Sequence, residues 1–139
     1  MALLARRDFS RSELERRLES QRYRPQEIAL AVEELTASRA LDDARFSHNY
    51  VSNHAARGQG PLRIRAELQA LGIEAELIEA ALAAGQDWLA LAREQCRRRF
   101  GPDAPRSRRE QLGRARFLQS RGFSSDHIRS ALGADFDSD

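Results

Sequence analysis

Any catalysis or metal binding in this chain would have to be built from three histidines, one cysteine and a pair of adjacent aspartates. His48, His54 and His127 are far apart in sequence, and none has companions at metal-ligand spacing. Asp42 and Asp43 are neighbours, so on a helix their carboxylates point about 100° apart and cannot work as a paired acid and base. No motif places a base beside Cys96, which fits a small helix-face or core residue rather than a nucleophile. A glycine-rich phosphate loop is absent. Neither an enzyme, a metal nor a cofactor is expected.

Arginine is the one chemistry present in quantity. The net charge is +2, and all 23 basic residues are Arg, with no Lys. Ten of them lie between Arg93 and Arg121, against only Glu94, Asp103 and Glu110, whereas residues 74–87 carry Glu74, Glu76, Glu79 and Asp87 and no basic residue. Arg97, Arg98, Arg99, Arg106, Arg108, Arg109, Arg114, Arg116 and Arg121 are therefore candidate phosphate contacts, since guanidinium forks suit oxyanions. A solvated face is the plainer reading, but a local excess of seven positive charges exceeds what solubility requires. Aromatic residues make up 6% of the chain and fall at core positions, so nothing encodes base readout and binding would be sequence-independent.

The elements that must carry these side chains are helices. Ala, Leu, Glu, Arg and Gln dominate, and the eight Gly and four Pro are too few for a sandwich or barrel. The chain holds no run of 18 apolar residues and no secretory apolar region, so a cytoplasmic location without a membrane is expected. The single Cys96 cannot close an intrachain disulfide.

An internal repeat organises the chain. Leu18, Leu68 and Leu118 are 50 residues apart, and the same shift relates Tyr23, Ile73 and Phe123; Ile28, Ile78 and Ile128; Ala31, Ala81 and Ala131; and Val32, Leu82 and Leu132. Each copy reads as a helix hairpin. The first helices are predicted over 11–21, 61–71 and roughly 107–121. The first opens on the capping box Ser10-x-x-Glu13 and the second on Gly60-Pro61. Gly72 and Gly122 suit the left-handed residue that ends a helix, and Arg22 stands there in the first copy, making that turn strained or different. Tyr23, Ile73 and Phe123 should fold back onto the preceding helix. Second helices follow from Pro25, Ala75 and Ser125, with Ser124 a candidate cap and Ile28, Ala31, Val32 and Leu35 forming a buried stripe. A leading helix is expected over 42–57 and 87–100, reduced to 2–7 in the first copy. Phe46 is a core position. Gly58, Gly60 and Pro61 form a turn, and Gly101–Pro105 is the one clear loop.

The expected fold is all-α, an elongated solenoid of right-handed helices in three tandem three-helix repeats. The divisions are 1–40 for the first repeat, 41–84 for the second, 85–133 for the third, and an acidic frayed tail over 134–139.

The central block Leu41-Asp-Asp-Ala-Arg-Phe46, Tyr50-Val51, Arg57-Gly-Gln-Gly-Pro-Leu-Arg-Ile-Arg65, Glu67-Leu68 and Gly72-Ile73 strongly resembles the middle repeat of the RecX family. Leu3–Arg7 with Ser10–Leu14 resembles that family's first repeat, and Phe117–Ser124 with Ile128 its third. The resemblance covers essentially the whole chain. It implies a cytoplasmic, non-enzymatic modulator that binds the filament of the RecA recombinase on single-stranded DNA and typically suppresses its ATPase, strand-exchange and coprotease activities; a monomer is expected, with the oligomeric state left open by the sequence. Two roles then fit Asp42, Asp43 and Arg45: contact with the recombinase, or helix capping and a paired guanidinium. Exposed Arg57, Arg63 and Arg65 are further contact candidates, Arg63 and Arg65 flanking the buried Ile64. A helix-turn-helix reader of duplex DNA, or a solenoid adaptor with protein partners only, would also fit three-helix units.

Overall fold

In the computed structural model, residues 9–37 and 42–133 are described, and they form eight helices and no strand. These are α1 (Arg11–Ser20), α2 (Pro25–Ala37), α3 (Asp43–Ala56), α4 (Pro61–Ala70), α5 (Ala75–Ala83), α6 (Trp88–Phe100), α7 (Arg108–Arg121) and α8 (Ser125–Leu132). The all-helical expectation holds, and the predicted helices recur within a residue or two of their predicted ends. The short leading helix over 2–7, the junction at Leu41 and the tail over 134–139 lie outside the described residues.

The caps explain where the helices start. Ser10, Ser107 and Ser124 each accept a hydrogen bond from the backbone N–H three residues on, and Asp87 does the same for Ala90. Each such cap is worth about 1 kcal/mol.

The helix ends repeat one hydrogen-bond pattern at the spacing of the sequence repeat. The N–H groups of Tyr23, Ile73 and Phe123 donate to the carbonyls of Leu18, Leu68 and Leu118, each at 3.1 Å. Those of Arg22, Gly72 and Gly122 donate to Glu19, Gln69 and Gln119, each at 3.0 Å. The pairs form a Schellman motif, which requires a left-handed residue, and φ is 66° at Arg22, 81° at Gly72 and 99° at Gly122. Arg22 therefore makes the same turn as the glycines and bears the strain of a Cβ in that conformation.

Two units gather by packing, one from Met1–Tyr50 with Glu67–Ala84 and the other from Val51–Ala66 with Gly85–Asp139. In the first, Leu14, Leu18, Ile28 and Val32 form a buried cluster between α1 and α2, with Ala31 and Leu35 packed against it. Ser10, wholly buried, donates its hydroxyl to the Leu71 carbonyl, and the Arg11 N–H donates to the Asp43 carboxylate at 2.7 Å. Phe46 is buried, as expected, 6.0 Å from the Tyr50 ring.

In the second unit, Ala92, Cys96, Leu118, Phe123 and Ile128 form the core where α6 packs on α7 and α8. Here the start of α4 meets the end of α7: Gly60 N–H donates to Arg121 O at 2.7 Å and Leu62 N–H to Gly122 O at 2.9 Å. The approach is so close that a Cβ on Gly60 would lie 2.5 Å from the Gly122 carbonyl.

One core expectation is corrected. Ile73 and Phe123 are buried, but Tyr23 is 47% exposed. In the second unit α6 joins the Phe123 cluster, and at Tyr23 a phenol tolerates water better than Ile or Phe.

Candidate functional site

The basic candidates converge on one end of the second unit. Helix α6 finishes on Arg97, Arg98 and Arg99, the loop through Gly101 and Pro105 turns the chain, and α7 begins with Arg106, Arg108 and Arg109 around its cap. All six side chains are exposed. Gly101, at φ 89°, ends α6 in a conformation that suits glycine, so the hairpin brings the two arginine groups to the same end. At the end of α6 the helix dipole favours cations, while at the start of α7 it adds to the positive field.

Of the three carboxylates in this region, Glu94 and Glu110 are already engaged and Asp103 is exposed in the loop. Glu94 accepts from Arg97 at 2.6 and 3.0 Å and from Arg98 at 2.9 Å. These hydrogen bonds hold its carboxyl at about 2, so it stays ionised throughout the neutral range. Glu110 closes the start of α7, accepting the Arg106 N–H at 2.6 Å while its own N–H donates to Ser107 Oγ. Arg99, Arg106 and Arg109 are left as the less neutralised part of the cluster.

The remaining candidates differ in setting. Arg116 is exposed on α7. Arg121 is half-buried and donates to the Arg57 carbonyl at 2.7 Å, with its Nε buried and unpartnered, so it ties α7 to the turn after α3. Arg114 is buried, with its guanidinium over the Phe100 ring at 5.3 Å. Arg57 and Arg63 are exposed and Arg65 is half-buried, all in the second unit.

Asp42, Asp43 and Arg45 belong to the first unit. Asp42 caps α3 by accepting the Arg45 N–H at 3.1 Å, and Asp43 accepts from Arg11. Burial raises the Asp43 carboxyl above its usual range, against the opposing pull of the Arg11 hydrogen bond and charge. Both aspartates thus have structural work, and Arg45 keeps an exposed side chain.

Sequence reasoning missed Phe100. The sequence puts it among the core aromatics, yet it is 38% exposed, because it lies at the α6 end where its ring packs edge-on to Phe117 and beneath the Arg99 and Arg114 guanidiniums. The signal was present in Arg-Arg-Arg-Phe-Gly, where a ring next to a helix-ending glycine has one side open.

Among the described residues, no three His, Cys, Asp or Glu side chains gather as metal ligands, and no helix is long and apolar enough to cross a membrane. The fold is an all-helical set of hairpins with an arginine-rich end, and comparison with known proteins defines its family. Residues 42–82 match the family model "RecX, second three-helix domain" and residues 85–132 match "RecX, third three-helix domain". "Regulatory protein RecX" of Halorhodospira halophila is 41% identical over 135 residues, covering 96% of this chain and 84% of that protein. Its namesake in Chromohalobacter salexigens is 44% identical over 132 residues, covering 94% and 86%. The crystal structure of RecX from Lactobacillus salivarius superposes with a TM-score of 0.81 at 23% identity, covering 94% of this chain and 88% of that one. The chain belongs to the RecX family. Its relatives are named regulatory proteins, not enzymes.

Proposed function

We propose that this protein regulates the RecA recombinase in the cytoplasm by occupying its filament on single-stranded DNA, lowering ATP turnover, strand exchange and coprotease activity. The observation that carries the reading is the arginine end of α6 and α7, where six exposed guanidiniums face Glu94 and Glu110, both already engaged, and Asp103 alone besides. Such a surface binds a phosphate backbone without reading bases. Arg45, Arg57, Arg63 and Arg65 supply contacts to acidic surfaces of the recombinase, in a solenoid of three tandem repeats acting as a monomer. No bond is made or broken by this chain; binding energy is set against filament growth and productive DNA pairing.

The test is the DNA-dependent ATPase of a cognate recombinase titrated with this protein. Turnover should fall to a plateau as the filament saturates, and less steeply when Arg106, Arg108 and Arg109 are replaced by Gln. Unchanged turnover at saturation would overturn the reading. Gel shifts with single-stranded, duplex and filament-coated DNA complete the test. Preference for one duplex sequence would instead indicate a helix-turn-helix reader.

A further inference from the structure

Arg114 sits where the repeat places hydrocarbon. Shifts of 50 residues put it in register with Leu14 and Ile64, both 0% exposed, and Arg114 is itself only 9% exposed. A buried guanidinium ordinarily requires a carboxylate, because removing the charge from water is costly. Among the described residues, no carboxylate oxygen lies within the 4.0 Å of an ion pair. It hydrogen-bonds the Cys96 thiol and lies over the Phe100 ring, neither of which carries a negative charge, and it also lines a groove with Asp103 and Glu110, neither at ion-pair distance.

The side chain also faces open space. It lines a cleft of about 500 Å³ walled by Cys96, Ala131 and Leu132, into which Arg93 and Arg97 also face, with Asp103 the single carboxylate on the wall. Arg97 is paired with Glu94, so Arg93 and Arg114 against Asp103 leave the cleft net positive, which suits an anion. The volume lies within the range of small-ligand sites, roughly 300–1,000 Å³. A buried guanidinium at the back, with two more at the mouth, can share the oxygens of one tetrahedral oxyanion through paired N–H donors.

We propose that the α6–α7–α8 bundle holds a built oxyanion site centred on Arg114, with Arg93 and Arg97 at its mouth, that takes one phosphate group. The group comes either from a free phosphate or from the backbone of a nucleic acid. The site adjoins the exposed arginine end, sharing Arg97 with it and, through Arg114, a groove with Arg106, but it does not depend on that surface binding DNA.

The decisive variant is Arg114→Leu, which restores the residue type of Leu14 and Ile64. Replacing a buried, unpaired charge with hydrocarbon should leave folding intact or improve it, as checked by circular dichroism and the thermal midpoint. Binding of inorganic phosphate is measured by calorimetry and by midpoint shift against chloride at matched ionic strength. The native protein should respond, and Arg114→Leu should bind at least tenfold more weakly. Arg93→Gln, at the exposed mouth, gives an intermediate loss and serves if the Leu variant does not fold. A second arm uses a short oligothymidylate. If only the oligonucleotide responds to Arg114→Leu, the phosphate is that of a backbone; if inorganic phosphate responds too, a free group suffices. Equal binding of both probes by the native protein and both variants would overturn the site, as would a native protein that distinguishes neither probe from chloride.

Discussion

At the scale of single residues, Arg22 gives the cleanest test of strain. It holds φ 66° in a turn whose two counterparts are glycines, and nothing in the Schellman hydrogen bonds requires its side chain. A Cβ in the left-handed region costs about 1–2 kcal/mol, part of which is returned because glycine is more flexible in the unfolded chain. Arg22→Gly should therefore stabilise the protein by about 0.5–1 kcal/mol, seen as a higher thermal midpoint, and a lower midpoint would show that the turn is unstrained. Asp43 makes a pH-dependent case. Burial raises its folded pKa above the unfolded value, so its contribution to stability is fullest below the unfolded value near 3.8 and declines as pH rises through the folded one. Asp43→Asn keeps an acceptor for the Arg11 N–H without the charge, so at pH 7 it should match or exceed the native protein in urea, with the advantage fading under acid. Asp43→Ala, lacking the acceptor, should lose about 1 kcal/mol or more at every pH.

At the scale of elements, the close approach of α4 to α7 depends on there being no side chain at Gly60. A Cβ there would press on the Gly122 carbonyl and the Phe123 N–H, both backbone, so the two helix ends must part and strain or lose the bonds from Gly60 and Leu62. Gly60→Ala should cost about 1–3 kcal/mol, the scale of overpacking, whereas Ala at exposed Gly113, where a Cβ meets nothing, should be neutral or better. A urea series on the two variants separates these outcomes. This contact also shows what sequence could and could not reveal. The hairpins were legible because Leu18, Ile28 and their counterparts recur at one spacing, and caps such as Ser10 and Ser124 announce themselves by type. The backbone pairing of Gly60 with Arg121 was not legible, since it joins residues 61 apart through atoms common to every residue. Arg114 was read as one more surface arginine because charge ordinarily means exposure, although its register with Leu14 and Ile64 already marked it as inward-facing. The exposed arginines were legible as a group, but which of them are neutralised depends on rotamers such as those joining Glu94 to Arg97 and Arg98.

At the scale of the whole molecule, the central prediction concerns salt. A single-stranded backbone contacted at about 4–6 phosphates gives a log–log dependence of affinity on salt with a slope of about −3 to −4, since each neutralised phosphate contributes roughly 0.7. The arginine end of α6 and α7 supplies six exposed guanidiniums, of which Arg97 and Arg98 already share Glu94. If the proposed backbone contact holds, replacing Arg106, Arg108 and Arg109 by Gln should lower the magnitude of that slope by about 2 and weaken binding to all sequences alike. Glu94→Gln should act in the opposite direction. Its carboxyl, held at about 2 by the two arginines, competes with phosphate for the same donors at every physiological pH, and removing its charge releases both. Fluorescence anisotropy of a labelled oligothymidylate across a salt series measures both variants. If the triple Gln variant kept the native slope, the DNA contact would have to lie elsewhere on the chain. If Glu94→Gln bound no more tightly than the native protein, Arg97 and Arg98 would not belong to it.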